Sequence, residues 1–303
     1  MPARTGTVVK AQTNLYEVRL DDTGEVLLCA LRGRLRRQAG DVLTGDRVEV
    51  VLQPGGAAIE RVLPRRNRLV RPPIANVDRV LLIQSLADPD PVPILMDRVL
   101  VQAEALELPV VLCFTKLDLV VKSPDDPLPE PSARLVDGYR RAGYPVHLVA
   151  APRGWGLDAL AAALKEGATV LAGPSGAGKS TLLNALQPGL QLATGEVSRK
   201  LGRGRHTTRH VALLPLAEGG WVADTPGFSR VDLPDLEPEE LGDLWPEIRR
   251  EAPDCRFRGC LHRSEPGCAV RAARDAGRIA AWRYQNYLVL LGELEERLAE
   301  RYK

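Results

Sequence analysis

Gly173-Pro174-Ser175-Gly176-Ala177-Gly178-Lys179-Ser180-Thr181 is the stretch on which the architecture of this 303-residue chain turns. It satisfies Gly-x-x-x-x-Gly-Lys-Ser/Thr in full. Its setting fits too: the apolar run Thr169–Ala172 precedes it as an expected strand, and Leu182, Leu183 and Leu186 follow at helical spacing. Glycines allow consecutive backbone N–H groups to curl around phosphate oxygens, and the helix N-terminus that follows adds positive partial charge. Lys179 is placed to reach the β- and γ-phosphates of a nucleotide, and the Ser180 hydroxyl to ligate Mg2+.

Upstream, Arg79–Gln84 and Val110–Thr115 are continuous apolar runs of the kind found in sheets buried on both faces. Helical spacing occupies Ile94–Leu106, Arg134–Arg141 and Leu157–Leu164, with a short strand at Val146–Val149 and a proline-rich loop at Ser123–Pro131. The alternation predicts a doubly wound α/β domain over residues 73–232. Thr115-Lys116-Leu117-Asp118 closes the second apolar run in the pattern Asn/Thr-Lys-x-Asp. An aspartate there accepts two hydrogen bonds, from the ring N–H and the exocyclic amine of guanine. Adenine offers no such donor pair. Leaving a charged acceptor unpaired costs about 1–3 kcal/mol, so guanine is expected to win by at least ~10-fold. Lys116 would lay its stem along the base. The loop after Val146–Val149, at Ala150-Ala151, is expected to turn backbone N–H groups toward the guanine oxygen, although GTPases often carry Ser-Ala there.

Asp224-Thr225-Pro226-Gly227 follows the apolar segment Trp221–Ala223. Asp224 is expected to hold Mg2+ through water and the Gly227 N–H to contact the γ-phosphate. Between this segment and the phosphate loop lies Gly202-Arg203-Gly204-Arg205-His206-Thr207-Thr208, where one threonine would complete the Mg2+ shell; Thr208 is preferred over Thr207. Phe228 stands where many GTPases place the glutamine that orients the attacking water. Slow intrinsic hydrolysis is therefore expected, raised by a partner or by His206, whose imidazole can position water near neutral pH. RNA binding or loop shaping is the alternative role for His206. Lys179, His206 and Thr208 are thus the candidate catalytic residues. The guanine-reading segment precedes the phosphate loop, which precedes the switch segments. In Ras-like proteins it follows them, so the order here is circularly permuted.

The flanks carry two further modules. Residues 1–72 show some five short strands, clearest at Tyr16–Leu20, Glu25–Ala30, Arg47–Leu52 and Ala57–Val62, which suits a small barrel such as an OB-fold. Pro72-Pro73 reads as its boundary. Residues 233–303 contain Cys255, Cys260, His262 and Cys268, a three-thiolate, one-imidazole set suited to structural zinc, and end in a helix from about Arg278 to Glu300. Tyr284, Tyr287, Leu288, Leu291, Leu294 and Leu298 form its apolar stripe, expected to pack within its own domain. Cys29 and Cys113 sit in apolar runs as small buried hydrophobes. An apolar content of 45% suffices for packed cores, a net charge of +2 identifies no partner, and no apolar run reaches the ~18 residues that a membrane span needs. The N-terminus lacks the apolar stretch of a secretion signal, so a cytoplasmic protein, monomeric, is expected.

Taken together these motifs resemble the circularly permuted small-ribosomal-subunit-dependent GTPase A family of bacteria. The likeness covers nearly the whole chain: barrel, permuted motifs, Gly-Arg-His-Thr-Thr, Asp-Thr-Pro-Gly-Phe and the Cys/Cys/His/Cys set. The resemblance implies an OB-fold, a zinc domain flanking the GTPase domain, late maturation of the small ribosomal subunit, binding to its rRNA, and stimulation of GTP hydrolysis by it. Thr115 and Ala150 depart from the family's commoner Asn and Ser, which could weaken guanine affinity. Basic clusters support an RNA partner independently: Arg32, Arg34, Arg36 and Arg37; Arg199, Lys200, Arg203, Arg205 and Arg209; Arg256, Arg258 and Arg263. Two other readings compete, a metabolic or signalling NTPase without RNA and an RNA-binding module whose nucleotide site is only structural.

Overall fold

The computed structural model describes residues 3–12, 15–33, 35, 42–53, 56–70, 72–189, 211–224 and 232–301; of Asp224 only the backbone is described. The chain begins with β1 (Arg4–Ala11), β2 (Tyr16–Leu20), β3 (Val26–Leu31), β4 (Arg47–Gln53) and β5 (Gly56–Val62). Alternate residues of these strands are apolar, as a half-buried strand requires. Val8, Val18, Leu20, Cys29, Val48, Val50 and Ile59 all turn inward and are buried. β1 pairs antiparallel with both β2 and β4, β2 with β3, and β4 with β5, while β3 runs parallel to β5. The ring closes, giving the expected five-stranded OB-like barrel.

A short hairpin, β6 (Arg68–Leu69) and β7 (Ile74–Ala75), follows. Pro72-Pro73 lies in its turn, with Pro72 buried and the Ala75 N–H donating to the Thr44 carbonyl at 2.9 Å. Pro72 is thus packed into structure, while Pro73 is exposed in the same turn. The order continues with β8 (Arg79–Ser85), α1 (Pro93–Ala105), β9 (Val110–Thr115), α2 (Ser132–Ala142), β10 (Val146–Leu148), α3 (Leu157–Leu164), β11 (Ala168–Ala172) and α4 (Lys179–Leu186). Beyond residue 210 come β12 (Ala212–Pro215), β13 (Trp221–Asp224), a 3-10 turn at Pro238–Leu244, α5 (Pro246–Glu251), α6 (Ala269–Asp275) and α7 (Ala281–Arg301).

Contacts divide the chain into two compact units. One comprises residues 1–80, 158–171 and 183–228; the other comprises 81–157, 172–182 and 229–303. In the first, the barrel ladder continues outward: Lys10 of β1 pairs with Ala212 of β12, β12 is antiparallel to β13, and β13 is parallel to β11. The buried Thr44 hydroxyl donates to the Val211 carbonyl at 2.8 Å beside that junction. In the second, the strands run β10–β9–β8, with β9 and β10 parallel. β9 is buried along its whole length and β8 along nearly all of it, so each reads as an unbroken apolar run because both faces are covered.

The C-terminal core of the second unit gathers Val101, Leu241, Trp245, Ile248, Val270, Tyr287, Leu290, Leu291 and Leu294. The last helix buries its stripe within its own unit, as expected, but starts later than the apolar spacing suggests. Gly277, at φ +75°, donates to the Arg274 carbonyl, and the Arg278 N–H reaches the Ala273 carbonyl at 2.9 Å. This is the left-handed glycine closure of α6, so Arg278 ends one helix and does not open the next. Among the described residues no helix is long and apolar enough to cross a membrane.

Candidate nucleotide site and metal centre

β11 is wholly buried and delivers the chain to Gly173, whose φ is +131°. A Cβ at that position would stand 2.0 Å from the Ile83 carbonyl oxygen. Only glycine permits both the backbone angle and the approach to β8. Gly176 and Gly178 are also left-handed, at φ +81° and +85°, and Lys179 opens α4. The Lys179 ammonium donates to the carbonyls of Gly173 and Pro174, at 2.9 and 2.6 Å, which holds it across the loop it belongs to.

Thr115 ends β9, buried, with its hydroxyl donating to the Ala177 carbonyl at 2.6 Å. Side chain and loop are in close contact, since a Cβ on Gly178 would lie 3.4 Å from the same hydroxyl oxygen. Thr115–Asp118, expected to read guanine, and the loop Gly173–Thr181 are therefore joined by one buried hydrogen bond across 62 positions of sequence. Lys116 turns the chain in the left-handed region, at φ +58°, into the 3-10 turn Leu117–Leu119. Its ammonium donates to the Asp88 carbonyl, in a segment whose Pro89 backs Gly176 and is fastened by the Ser85 hydroxyl donating to the Pro89 carbonyl at 2.6 Å. Leu117 is buried with its N–H on the Val149 carbonyl at 3.1 Å. The Asp118 carboxylate is half-buried and accepts no hydrogen bond among the described residues.

The parallel pairing of β9 with β10 carries Ala150-Ala151 alongside this turn, with the Val149 N–H on the Phe114 carbonyl at 2.8 Å. The Ala150 N–H is committed to the Trp155 carbonyl at 3.1 Å, so Ala151 is the member of the pair that can offer its N–H outward. Ser175, Ser180 and Thr181 lie on the loop and the first turn of α4. Asp224 ends β13, where its backbone pairs with Ala212. His206, Thr207, Thr208 and Gly227 lie outside the described residues.

The second constellation stands in the C-terminal region. One ligand atom from each of Cys255, Cys260, His262 and Cys268 lies within 4.8 Å of all the others. The Cys255 and Cys268 sulfurs are 3.9 Å apart, and His262 Nδ1 is 3.6 and 3.5 Å from them. A tetrahedron with Zn–S bonds of about 2.3 Å has S–S edges of about 3.8 Å. The set therefore fits a metal ion of that size and is far too open for a disulfide. Burial chiefly pushes the Cys260 thiol up to about 12 and raises Cys268 as well; a divalent cation would reverse this, because coordinated thiols deprotonate. The surroundings are built to hold the ligands. Tyr284 and Tyr287 hydroxyls donate to the carbonyls of His262 and Leu261 at 2.6 and 3.1 Å, and the Arg271 N–H points at the Cys268 sulfur at 3.5 Å. The Glu265 carboxylate collects the N–H groups of Leu261, Arg263 and Ser264. Burial opposes its charge, yet those donors more than offset burial and hold its pKa below the ordinary value.

The second unit also contains a buried polar network that the sequence did not disclose. Arg283 of α7, buried, binds Asp97 of α1 and makes two hydrogen bonds with Glu247 of α5, while Tyr139 and Asn286 donate to Asp97 at 3.0 and 2.6 Å. Burial alone would lower the Arg283 pKa, but the two carboxylates raise it well above its usual range. The only sequence signal was Asp97 interrupting an apolar helical run. Cys29 and Cys113 are buried as expected, their thiols pushed by burial up to about 11 and about 12.

Comparison with known proteins agrees with this construction. The family model described as RsgA GTPase matches residues 62–234, and that of the RsgA N-terminal domain matches residues 5–59. A Carboxydothermus hydrogenoformans protein named small ribosomal subunit biogenesis GTPase RsgA is 47% identical over 293 residues, 95% of this chain and 97% of that protein. A protein of the same name from Geobacillus kaustophilus is 45% identical, over 96% of this chain and 98% of its own. The crystal structure of YjeQ from Thermotoga maritima superposes with a TM-score of 0.81 at 38% identity, covering 97% of this chain and 99% of that one. YloQ, described as a circularly permuted GTPase, also gives 0.81, at 34% identity and covering 98% and 96%. With the reversed motifs latched to each other through Thr115, and with matches of this extent, the chain belongs to the RsgA GTPase family and is a circularly permuted GTPase.

Proposed function

We propose that this protein binds the small ribosomal subunit and assists its late maturation, with GTP hydrolysis to GDP and phosphate as the switch that the subunit stimulates. The observation that carries this reading is the Thr115–Ala177 hydrogen bond, which couples a base-reading strand end to a phosphate loop. In this reading Asp118 recognises the guanine edge, with Lys116 along the ring, Thr115 and Leu117 fixing the turn, and Ala150-Ala151 lining it. Gly173 through Thr181 cradle the phosphates with backbone N–H groups, and Lys179 moves from the loop carbonyls to the β- and γ-phosphates. Mg2+ would be held by Ser180, Asp224 and Thr208, or Thr207, and when bound neutralises charge on the phosphate oxygens. Gly227 would donate to the γ-phosphate, and His206 would orient water, since Phe228 has no group to do so.

The metal centre takes zinc in a structural role, because all four protein positions are filled and none is open for substrate. The working division is a barrel over residues 1–72, a GTPase domain over 73–232 and a zinc domain over 233–303. The barrel and the arginine clusters face rRNA, and the protein acts as a cytoplasmic monomer. The relatives named for small-subunit biogenesis support the partner. GTPase rate measured with and without purified small subunits is the test. Stimulation upholds the proposal; equal turnover in both assays favours a partner-independent NTPase, and no turnover favours a binding module.

A further inference from the structure

The loop between the first two metal-ligating cysteines carries a group that coordination does not need. Phe257 is 44% exposed, whereas Phe114, in β9, is fully buried. A single exposed apolar side chain is ordinary in itself; the company that Phe257 keeps is not. Arg256, Arg258 and Gly259 beside it are all exposed, and the Arg256 guanidinium lies 5.4 Å from the ring centroid. Neither Arg256 nor Arg258 has a side-chain ion pair or hydrogen bond among the described residues. Arg263, the third arginine of this region, is neutralised by Glu295 at 2.9 Å. The loop is also fixed in place. Cys255 and Cys260 bracket it within the metal cluster, and the Arg256 N–H donates to the Gly267 carbonyl at 3.1 Å.

We infer that Phe257 is a stacking platform for an unpaired RNA base, with Arg256 and Arg258 holding the phosphates on either side of it. This rests on the RNA-binding reading above and names the group that would make the contact. An aromatic ring with a guanidinium over one face keeps its other face for a base and sets a cation beside it for the phosphate, which matches a nucleotide. Bases inside a duplex are already stacked and cannot reach a ring on a loop, so the ligand is single-stranded or a splayed loop. A protein partner would need carboxylates for both arginines around an apolar residue; one RNA strand supplies phosphates at that spacing without further design. A loop held at both ends has little freedom left to lose on binding.

The experiment uses the full-length, zinc-loaded protein and a labelled single-stranded adenylate 12-mer, a duplex of the same length, and purified small subunits. Phe257→Ala is expected to weaken binding of the single strand between about 5- and 100-fold, with Phe257→Trp close to wild type. Its affinity should fall equally at every salt concentration. Arg256→Ala and Arg258→Ala should instead each flatten the log–log salt slope by about 0.7. Zinc content and intrinsic GTP hydrolysis should not change in any variant. If Phe257→Leu binds the single strand as tightly as wild type, the ring is not a stacking surface and the inference is wrong. If Phe257→Ala loses small subunits but keeps the oligonucleotide, a protein occupies the site and the inference is again wrong. If wild type binds neither RNA nor small subunits, the underlying functional reading fails with it. If wild type binds subunits and Phe257→Ala matches it throughout, only this inference fails.

Discussion

The barrel and the C-terminal helical region differ in how much of their charge is taken inside. In the barrel most ion pairs lie outside, as Arg4–Asp22, Arg32–Glu60, Arg47–Asp21 and Arg61–Glu49 do over an apolar interior; Arg65 reaching the buried Asp46 at its rim is the exception. In the C-terminal region surface pairs such as Arg263–Glu295 and Arg278–Glu251 occur too, but Arg283 of α7 with Asp97 of α1 and Glu247 of α5 forms a network buried to 1%, 0% and 3% exposure at an otherwise apolar core. A closed barrel gives each strand two hydrogen-bonded neighbours, so its geometry is fixed by backbone alone. Short helices and turns have no such ladder. Their placement is specified by polar groups that are satisfied in one arrangement only, which makes the region demanding and not simply stable.

The sharpest way to break this contrast is to strip the metal that the Cys/His set would hold. Structural zinc supplies about 10–16 kcal/mol in isolated zinc-finger peptides, and less is expected where a core remains. Chelation, or Cys268→Ala, should abolish amide-exchange protection in α6 and the start of α7 while barrel amides stay protected. Uniform loss, or none, would erase the distinction. Next in size, Arg283→Ala should destabilise denaturant unfolding by about 3–5 kcal/mol, because two carboxylates are left buried without a partner. Replacing Arg283, Asp97 and Glu247 together by apolar residues should restore most of that loss, and failure to do so would mean the ions contribute more than placement. Thr115→Val keeps the volume and removes the donor to Ala177. It should cost about 1–3 kcal/mol, read by calorimetry as weaker GTP binding, with Thr115→Ser recovering it. Smallest of all, Arg61→Ala on the barrel should leave the thermal midpoint within error.

Gly173–Thr181, Thr115–Asp118 and the Cys/His set stand out in sequence because ligand chemistry would dictate their side-chain types, and the structure brings the first two together and gathers the third. The strands of the barrel and of the buried sheet followed from period-two and continuous apolar patterns, and their ends shifted by about one residue where turns close. Pairing was another matter. Nothing local tells Thr115 that its acceptor is 62 positions away, or Asp97 that its cation is 186 away. Arg278 looked like the start of a helix because a glycine closure is decided by backbone angle, which composition reports only weakly. Pro72-Pro73 reads as a boundary, and proline marks turns and boundaries alike; the pair lies in the turn of the β6–β7 hairpin. The switch roles expected of His206, Thr207, Thr208 and Gly227, which lie outside the described residues, rest on motif chemistry alone.

The junction of β1 with β12 through Lys10 and Ala212, seconded by Thr44 on Val211, has a consequence for anyone trimming this protein. The barrel is the cover of an edge. Cut the chain after residue 62 and β12 presents a bare row of amides and carbonyls, the arrangement that recruits a neighbouring molecule. The truncated form should therefore fail by self-association, visible as light scattering that grows with concentration, before it fails as an enzyme.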